Sequence, residues 1–275
     1  MSYETDPAKL GELEHVRRYE RESEPVRASH RALLDVAYGA LPGETMDIYL
    51  AERREAPILV FIHGGYWKGG TKESRAFLAP AYCDAGAHFV ALEYPLLPAV
   101  TLERLIAAVR AGVAWIWKNA ASFGGDPRRI HVCGNSAGGH LVGMLMAGGW
   151  QARLGVPADV IAGGCAISGL YTLEPLRELA FLRDALRLDA AGAAAASPIH
   201  QLPDTGAPLI VAVGAGESHE FRGQAREYAA AWVRRGFPLV YLEVPGAKHF
   251  SIIGEVSRAG SALRAALFHQ MRLAP

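Results

Sequence analysis

The chain has 275 residues, 51% hydrophobic and 20% charged, with Lys+Arg and Asp+Glu both at 28 for a formal net charge of zero. That balance excludes a dedicated polyanion binder, which needs a basic excess, and the apolar content excludes a disordered chain because it can bury a sizeable core. No apolar run approaches the roughly 18 residues of a membrane span, the first twenty residues lack the apolar stretch of a secretory signal, and Cys83, Cys133 and Cys165 form neither a zinc spacing nor a disulfide framework, so a cytoplasmic protein of one or two domains is expected.

Residues 9–31 are dense in charge, with Leu10, Leu13, Val16 and Tyr19 near helical spacing. This predicts an amphipathic helix, packed as a leading arm (1–31) and ending near Pro25. A strand pair is expected around Leu34–Tyr38 and Met46–Leu50, with Leu41-Pro42-Gly43 as the turn. Short continuous apolar runs then alternate with helical patterns. Strands are predicted at Pro57–His63, His88–Tyr94, Arg129–Gly134, Asp159–Ser168, Pro208–Gly214 and Pro238–Val244. Helices are predicted at Thr101–Ala120, Ala137–Gly148, Glu220–Arg235 and Glu255–Phe268. Such a series indicates an α/β fold with a parallel sheet covered on both faces. No composition break interrupts it, so residues 1–275 are read as one domain. The exception is 169–203, a long stretch without a strand, read as a cap or lid over the strand ends where an open sheet carries its site.

Gly134-Asn135-Ser136-Ala137-Gly138 has the form G-x-S-x-G, with a strand leading in and a small-residue helix leading out. That context is a nucleophile elbow with Ser136 Oγ at its tip. His63-Gly64-Gly65-Tyr66-Trp67 follows an earlier strand. Its glycines let backbone N–H groups turn inward, so the N–H groups of Gly65, Tyr66 and Ala137 are the oxyanion-hole candidates. His63 is read as orienting that loop. The general base belongs last in the chain, and His249 is the histidine placed in a loop after a late strand. His219 comes too early, His140 is read as a packing or hydrogen-bonding residue, and His15, His30, His131 and His269 as surface or edge positions. The acid belongs in Ala215–Phe221, which contains no Asp. Glu217 is nearer the strand end and is preferred; Glu220, at the helix start, also suits the helix dipole. Tyr66 and Trp67, with Tyr94, are candidates for an aromatic pocket wall.

Other α/β chemistries lack their motifs. Gly214-Ala215-Gly216 has His219 where a dinucleotide fingerprint needs glycine, Gly69-Gly70-Thr71-Lys72 has a P-loop's last residues reversed, and no H-E-x-x-H is present. No metal or cofactor is expected.

Together these segments resemble the α/β-hydrolase family and, within it, the kynurenine formamidase (arylformamidase) group. His63–Trp67 matches the group's H-G-G-x-W loop, and Gly134–His140 its G-x-S-A-G-G-H elbow. Ser168–Pro175 matches S-G-L-Y/F-D-L-x-P, Ser218–Phe221 matches S-x-E-F, and His249–Ile253 matches H-F-x-I-I. Tyr19, Tyr38-Gly39 and Met46–Tyr49 also resemble that group. The resemblance implies an α/β-hydrolase fold with a mostly parallel central sheet, helices on both faces and a small cap. It implies Ser136 as nucleophile, Glu217 as acid and His249 as base. The expected activity is hydrolysis of a small acyl or formyl compound, an aryl formamide such as N-formylkynurenine, through an acyl-enzyme. A general carboxylesterase is the alternative, and a non-catalytic binding module a remote one. Partners would be the small substrate and water, with no nucleic acid and no membrane, and a homodimer is left open. Two positions depart from the group: Glu217 stands where animal members have Asp, and Thr172 where Asp is frequent.

Overall fold

In the computed structural model, which describes residues 3–274, eight strands form one sheet. They are β1 (Ala32–Ala37), β2 (Thr45–Tyr49), β3 (Ala56–Ile62), β4 (His88–Leu92), β5 (Gly125–Asn135), β6 (Gly163–Ile167), β7 (Leu209–Gly214) and β8 (Leu239–Val244). Their order is β1-β2-β4-β3-β5-β6-β7-β8. The first two strands pair antiparallel, β2 pairs antiparallel with β4, and every later pairing is parallel.

The central strands are continuous apolar runs because both faces are covered. All of β3 is buried. Its Ile58, Val60 and Ile62 join the core on one face, with Leu105 and Val109 of α3 (Leu102–Asn119), Leu141 of α4 (Ala137–Met146), and Phe221 and Tyr228 of α7 (His219–Arg234). Leu59 and Phe61 join the other core, with Tyr19 of α1 (Leu13–Ser29), Tyr82 of α2 (Ala79–Cys83), and Leu263 and Leu267 of α9 (Ala262–Met271). The alternation follows from the two-residue period of a strand.

The structure departs from three expectations and adds elements that were not anticipated. The first helix does not stop at Pro25 but runs to Ser29. Contacts on both sides of the proline hold it: Ser23 Oγ accepts from Phe77 N at 3.1 Å, and Arg27 Nε donates to Asp47 at 3.1 Å. The last predicted helix starts later than Glu255: residues 255–261 are turn and loop, Gly260 takes φ +76°, and Ser261 caps α9 by accepting from Leu263 N and Arg264 N, while the short helix α8 (Ser251–Gly254) ahead of them was not anticipated. A 3₁₀ turn at Glu73–Leu78 and α2 were not anticipated, since their pattern is short and interrupted by Pro80. His131 is buried on β5, not at a surface or edge.

The stretch 169–203 has no strand among its described residues. It holds a 3₁₀ turn at Glu174–Leu176, then α5 (Ala180–Leu186), α6 (Ala190–Ala195) and a second 3₁₀ turn at Pro198–His200. Leu170, Tyr171, Leu173, Leu176 and Leu182 anchor it to the first core.

Candidate active site

The parallel strands β3, β5, β6, β7 and β8 are successive neighbours, so the loops leaving their carboxyl ends emerge along one rim of the sheet. In chain order those loops carry Gly64–Trp67, Ser136, Ser168, Glu217 and His249.

Ser136 joins β5 directly to α4 at φ 57°, ψ −120°. For a residue with a side chain that is a strained backbone, of order ~1–3 kcal/mol. It is held by Ser136 N donating to Ile167 O (2.8 Å) and His140 N donating to Ser136 O (3.0 Å). The turn closes this tightly because position 138 lacks a side chain: a Cβ on Gly138 would lie 2.0 Å from Ile62 O. Ala137 begins α4, so its N–H points out of a helix N-terminus, where the aligned peptide dipoles favour negative charge.

The loop after β3 has three consecutive residues at positive φ: Gly65 (119°), Tyr66 (49°) and Trp67 (60°). Lys68 N and Gly69 N both donate to Gly65 O, at 3.0 and 3.1 Å. Among the described residues no protein acceptor takes the N–H of Gly65, Tyr66 or Ala137. The loop is fastened from beneath. His63 is buried, stacked on Tyr94 at 4.3 Å, and its Nε2 lies 2.6 Å from Glu93 Oε1. Tyr94 Oη donates to His63 O at 2.9 Å. Trp67 Nε1 donates to His140 Nδ1 at 3.1 Å, which leaves the His140 Nε2–H to donate to Ala196 O at 2.8 Å. Burial pushes His140 down to about 4, so it is neutral in this role.

His249 and Glu217 meet at the far side of the rim. Glu217 Oε2 lies 2.7 Å from His249 Nδ1. The other oxygen, Oε1, accepts from Gly214 N at 2.7 Å and from Ser168 Oγ at 2.5 Å. With Nδ1–H donating to the carboxylate, the ring's Nε2 is its basic nitrogen. Glu220 sits in the first turn of α7. Two residues from the N-terminal arm secure the His249 loop. Glu12 Oε2 accepts from Phe250 N (3.1 Å) and Ser251 N (2.8 Å). Tyr19 Oη donates to Phe250 O and accepts from Gly254 N, each at 3.1 Å.

Ser136 and His249 line one cleft of 650 Å³ together with Gly64, Gly65, Tyr66, Asn135 and Phe181. No hydrogen bond joins Ser136 Oγ to His249 among the described residues. The Tyr66 phenol donates to Tyr3 O at 2.5 Å, and Phe181 of α5 meets the Tyr66 ring edge-on at 5.3 Å. Lys68 Nζ donates to Phe181 O at 2.7 Å. The aromatic residues lining the cleft are Tyr66, Phe181, Tyr19 and Phe250. Trp67 does not line the cleft as expected: it is wholly buried, drawn under the loop by its bond to His140, and Tyr94 is buried likewise. A second cavity, of 710 Å³, lies between α3 and the 185–196 segment and contains none of these residues. No cluster of three or more metal-binding side chains occurs among the described residues, nor any helix long and apolar enough to cross a membrane.

Ser168, Glu12 and Phe181 were not singled out as site residues from the sequence. Ser168 had a signal, since it opens the S-G-L-Y stretch; it stands at φ +49° where β6 ends. Glu12 had none, because its partners lie 238 and 239 positions away.

Comparison with known proteins places these features in context. The family described as BD-FAE matches residues 46–155. A kynurenine formamidase of Danio rerio is 30% identical over 249 residues, covering 88% of this chain and 83% of that protein. Esterase LipQ of Mycobacterium tuberculosis is 30% identical over 238 residues, covering 78% of this chain and 56% of that protein. Among solved structures, a provisionally named thioesterase from Silicibacter sp. TM1040 aligns with a TM-score of 0.79 at 27% identity, covering 93% of each chain. Esterase B of Lactobacillus rhamnosis aligns with a TM-score of 0.74 at 18% identity, covering 94% of this chain and 95% of that one, which speaks to the fold.

Proposed function

The chain belongs to the kynurenine formamidase group of the α/β-hydrolase family, and from that premise we propose that it cleaves small aryl formamides through a formyl-enzyme on Ser136. The observation that carries this reading is the convergence of a strained Ser136, an outward-facing helix N-terminus and a Glu217-bound His249 on one cleft.

The mechanism follows from those parts. His249 Nε2 takes the Ser136 proton as Oγ attacks the formyl carbon. Glu217 holds the ring in the required tautomer and stabilises the imidazolium. The oxyanion forms against the N–H groups of Ala137, Gly65 and Tyr66, and loss of one such donor typically costs about 3 kcal/mol. His249 then protonates the departing aryl amine as the C–N bond breaks. Water, activated by the same histidine, releases formate and restores Ser136. An aryl amine is a better leaving group than an alkyl amine, so this apparatus suits an N-formyl aniline, and Tyr66 with Phe181 supplies a surface for the ring. In the same reading, residues 1–275 work as one catalytic unit, with 169–203 as a cap whose α5 closes one side of the cleft. All three cysteines are unpaired and buried, in keeping with a reducing, cytoplasmic setting.

The esterase relatives favour a second reading, hydrolysis of short or aryl esters by the same residues. Comparing kcat/KM on N-formylkynurenine and on p-nitrophenyl acetate decides between them. The formamidase reading requires the formamide to match or exceed the ester, and an ester preference of several orders of magnitude overturns it. Fluorophosphonate labelling that persists in Ser136→Ala would instead mean that the nucleophile is misassigned.

A further inference from the structure

Resting on the reading of this cleft as the catalytic site, we propose that Arg75 is a specificity-determining residue that binds a carboxylate carried by the substrate. Arg75 stands on the 3₁₀ turn Glu73–Leu78 and lines the same cleft as Ser136, His249 and Tyr66. Its residue is 9% exposed. Nη1 donates to Ser74 O at 3.0 Å, and Nε is buried with no partner. Among the described residues, neither Nε nor Nη2 has a protein acceptor and no carboxylate comes within ion-pair distance of the guanidinium. Nε and Nη2 form the edge of the fork that takes a carboxylate through two parallel hydrogen bonds.

The cations around this cleft are otherwise partnered; Arg110, whose Nε is also buried without a partner, lies outside it in the other cavity. Lys72, 2% exposed, is met by Asp35, Asp47 and Glu73 at 2.6–2.8 Å. Within the cleft, Lys9 is taken by Glu4 at 2.8 Å and Lys68 by Phe181 O at 2.7 Å. The titratable groups nearest Arg75 are the phenols of Tyr19 and Tyr94, both held neutral by burial, and the Glu20 carboxylate, which lies beyond ion-pair distance. A guanidinium withdrawn from water without a counter-ion is costly to the fold; burial alone pulls its pKa down. A negatively charged substrate group would remove that cost only while bound, and so would bind preferentially over a neutral group of the same shape.

Matched probes test this: 3-formamidobenzoate against 3-formamidobenzamide, and 3-acetoxybenzoate against 3-acetoxybenzamide. The native enzyme should prefer the carboxylate over the carboxamide in kcat/KM, chiefly through KM, by roughly 10- to 100-fold. In Arg75→Met that ratio should fall to near one, and Arg75→Lys, which restores the charge without the fork, should recover part of it. A ratio unchanged in Arg75→Met, with both probes slowed equally, means that Arg75 only supports the fold and overturns the proposal. A native ratio near one overturns it as well. If the ester pair is cleaved with the expected ratio while the formamides are not, the formamidase reading falls and Arg75 keeps its role. An enzyme that cleaves neither pair overturns both.

Discussion

Glu217 answers to three donors at once, and this decides how the His249 ring is held. One oxygen takes the His249 ring while the other takes Gly214 N and Ser168 Oγ. Glu217→Gln places an amide NH₂ opposite a donor whichever way it turns, so the ring loses its tautomer control. We expect kcat to fall by about 10³–10⁴-fold, the scale seen when a triad acid is made neutral. Ser168→Ala removes one of two donors on Oε1 and should lower kcat by about 10-fold. Steady-state kinetics on both variants, with Glu220→Gln beside them, checks the assignment: a large loss in Glu220→Gln and a small one in Glu217→Gln would give the acid's role to Glu220.

A second residue-scale consequence lies away from the cleft. Burial pulls His131 down to about 4 from its ordinary 6.5, and the nearby Arg129 charge acts the same way. Between those values the unfolded chain binds a proton that the folded chain refuses. Stability is therefore complete above pH 6.5 and falls as the pH drops toward 4. One such site accounts for about 2 kcal/mol by pH 5, and His140, also at about 4, acts in the same direction. The drop in Tm between pH 7 and pH 5 should be smaller in His131→Asn than in the native protein. Equal drops would mean that His131 takes up its proton over the same pH range in the folded and the unfolded chain.

At the scale of elements, what was legible in the sequence was local. The central strands β3 to β7 could be read because burial on both faces leaves an apolar run, as in Ile58–Ile62, whereas the edge strand β8 is only partly buried. The glycine loop, the elbow and His249 could be read because each motif sits beside the strand that positions it. The end of α1 could not, since tertiary contacts at Ser23 and Arg27 carry the helix past Pro25. Nor could the place of Trp67, whose indole is held beneath the loop by its bond to His140, while Phe181, for which nothing was expected, lines the cleft. Glu12 is the sharpest case. It stands just before α1, yet its carboxylate caps the start of α8, accepting two N–H groups beside His249. Glu12→Ala leaves both donors without an acceptor and should destabilise by on the order of 1–3 kcal/mol. Hydrogen exchange at Phe250 and Ser251 should quicken with it, and kcat should fall several-fold as the His249 ring loses its fixed position. Unchanged protection at those two amides would show that the arm does not hold the loop.

At the scale of the molecule, the same long-range bonds bear on whether the chain unfolds in parts. A cut within 169–203 would separate β1–β6 from β7 and β8, yet β6 and β7 are paired along Gly164–Ile167 and Leu209–Ala212. The chain's beginning is tied across that boundary three times: Tyr3 Oη accepts from Gln224 Nε2 at 2.8 Å, and Glu12 and Tyr19 hold residues 250–254. Neither portion can be released without baring a strand edge and the apolar face beneath the insertion. The chain should therefore unfold as one unit, although its length exceeds the range where two-state behaviour is the rule. In urea, far-ultraviolet circular dichroism, near-ultraviolet circular dichroism and loss of hydrolysis should share one midpoint. Two resolved transitions, with residues 209–274 still protected from exchange after the first, would instead divide the molecule at the insertion and make the cleft an interface between two domains.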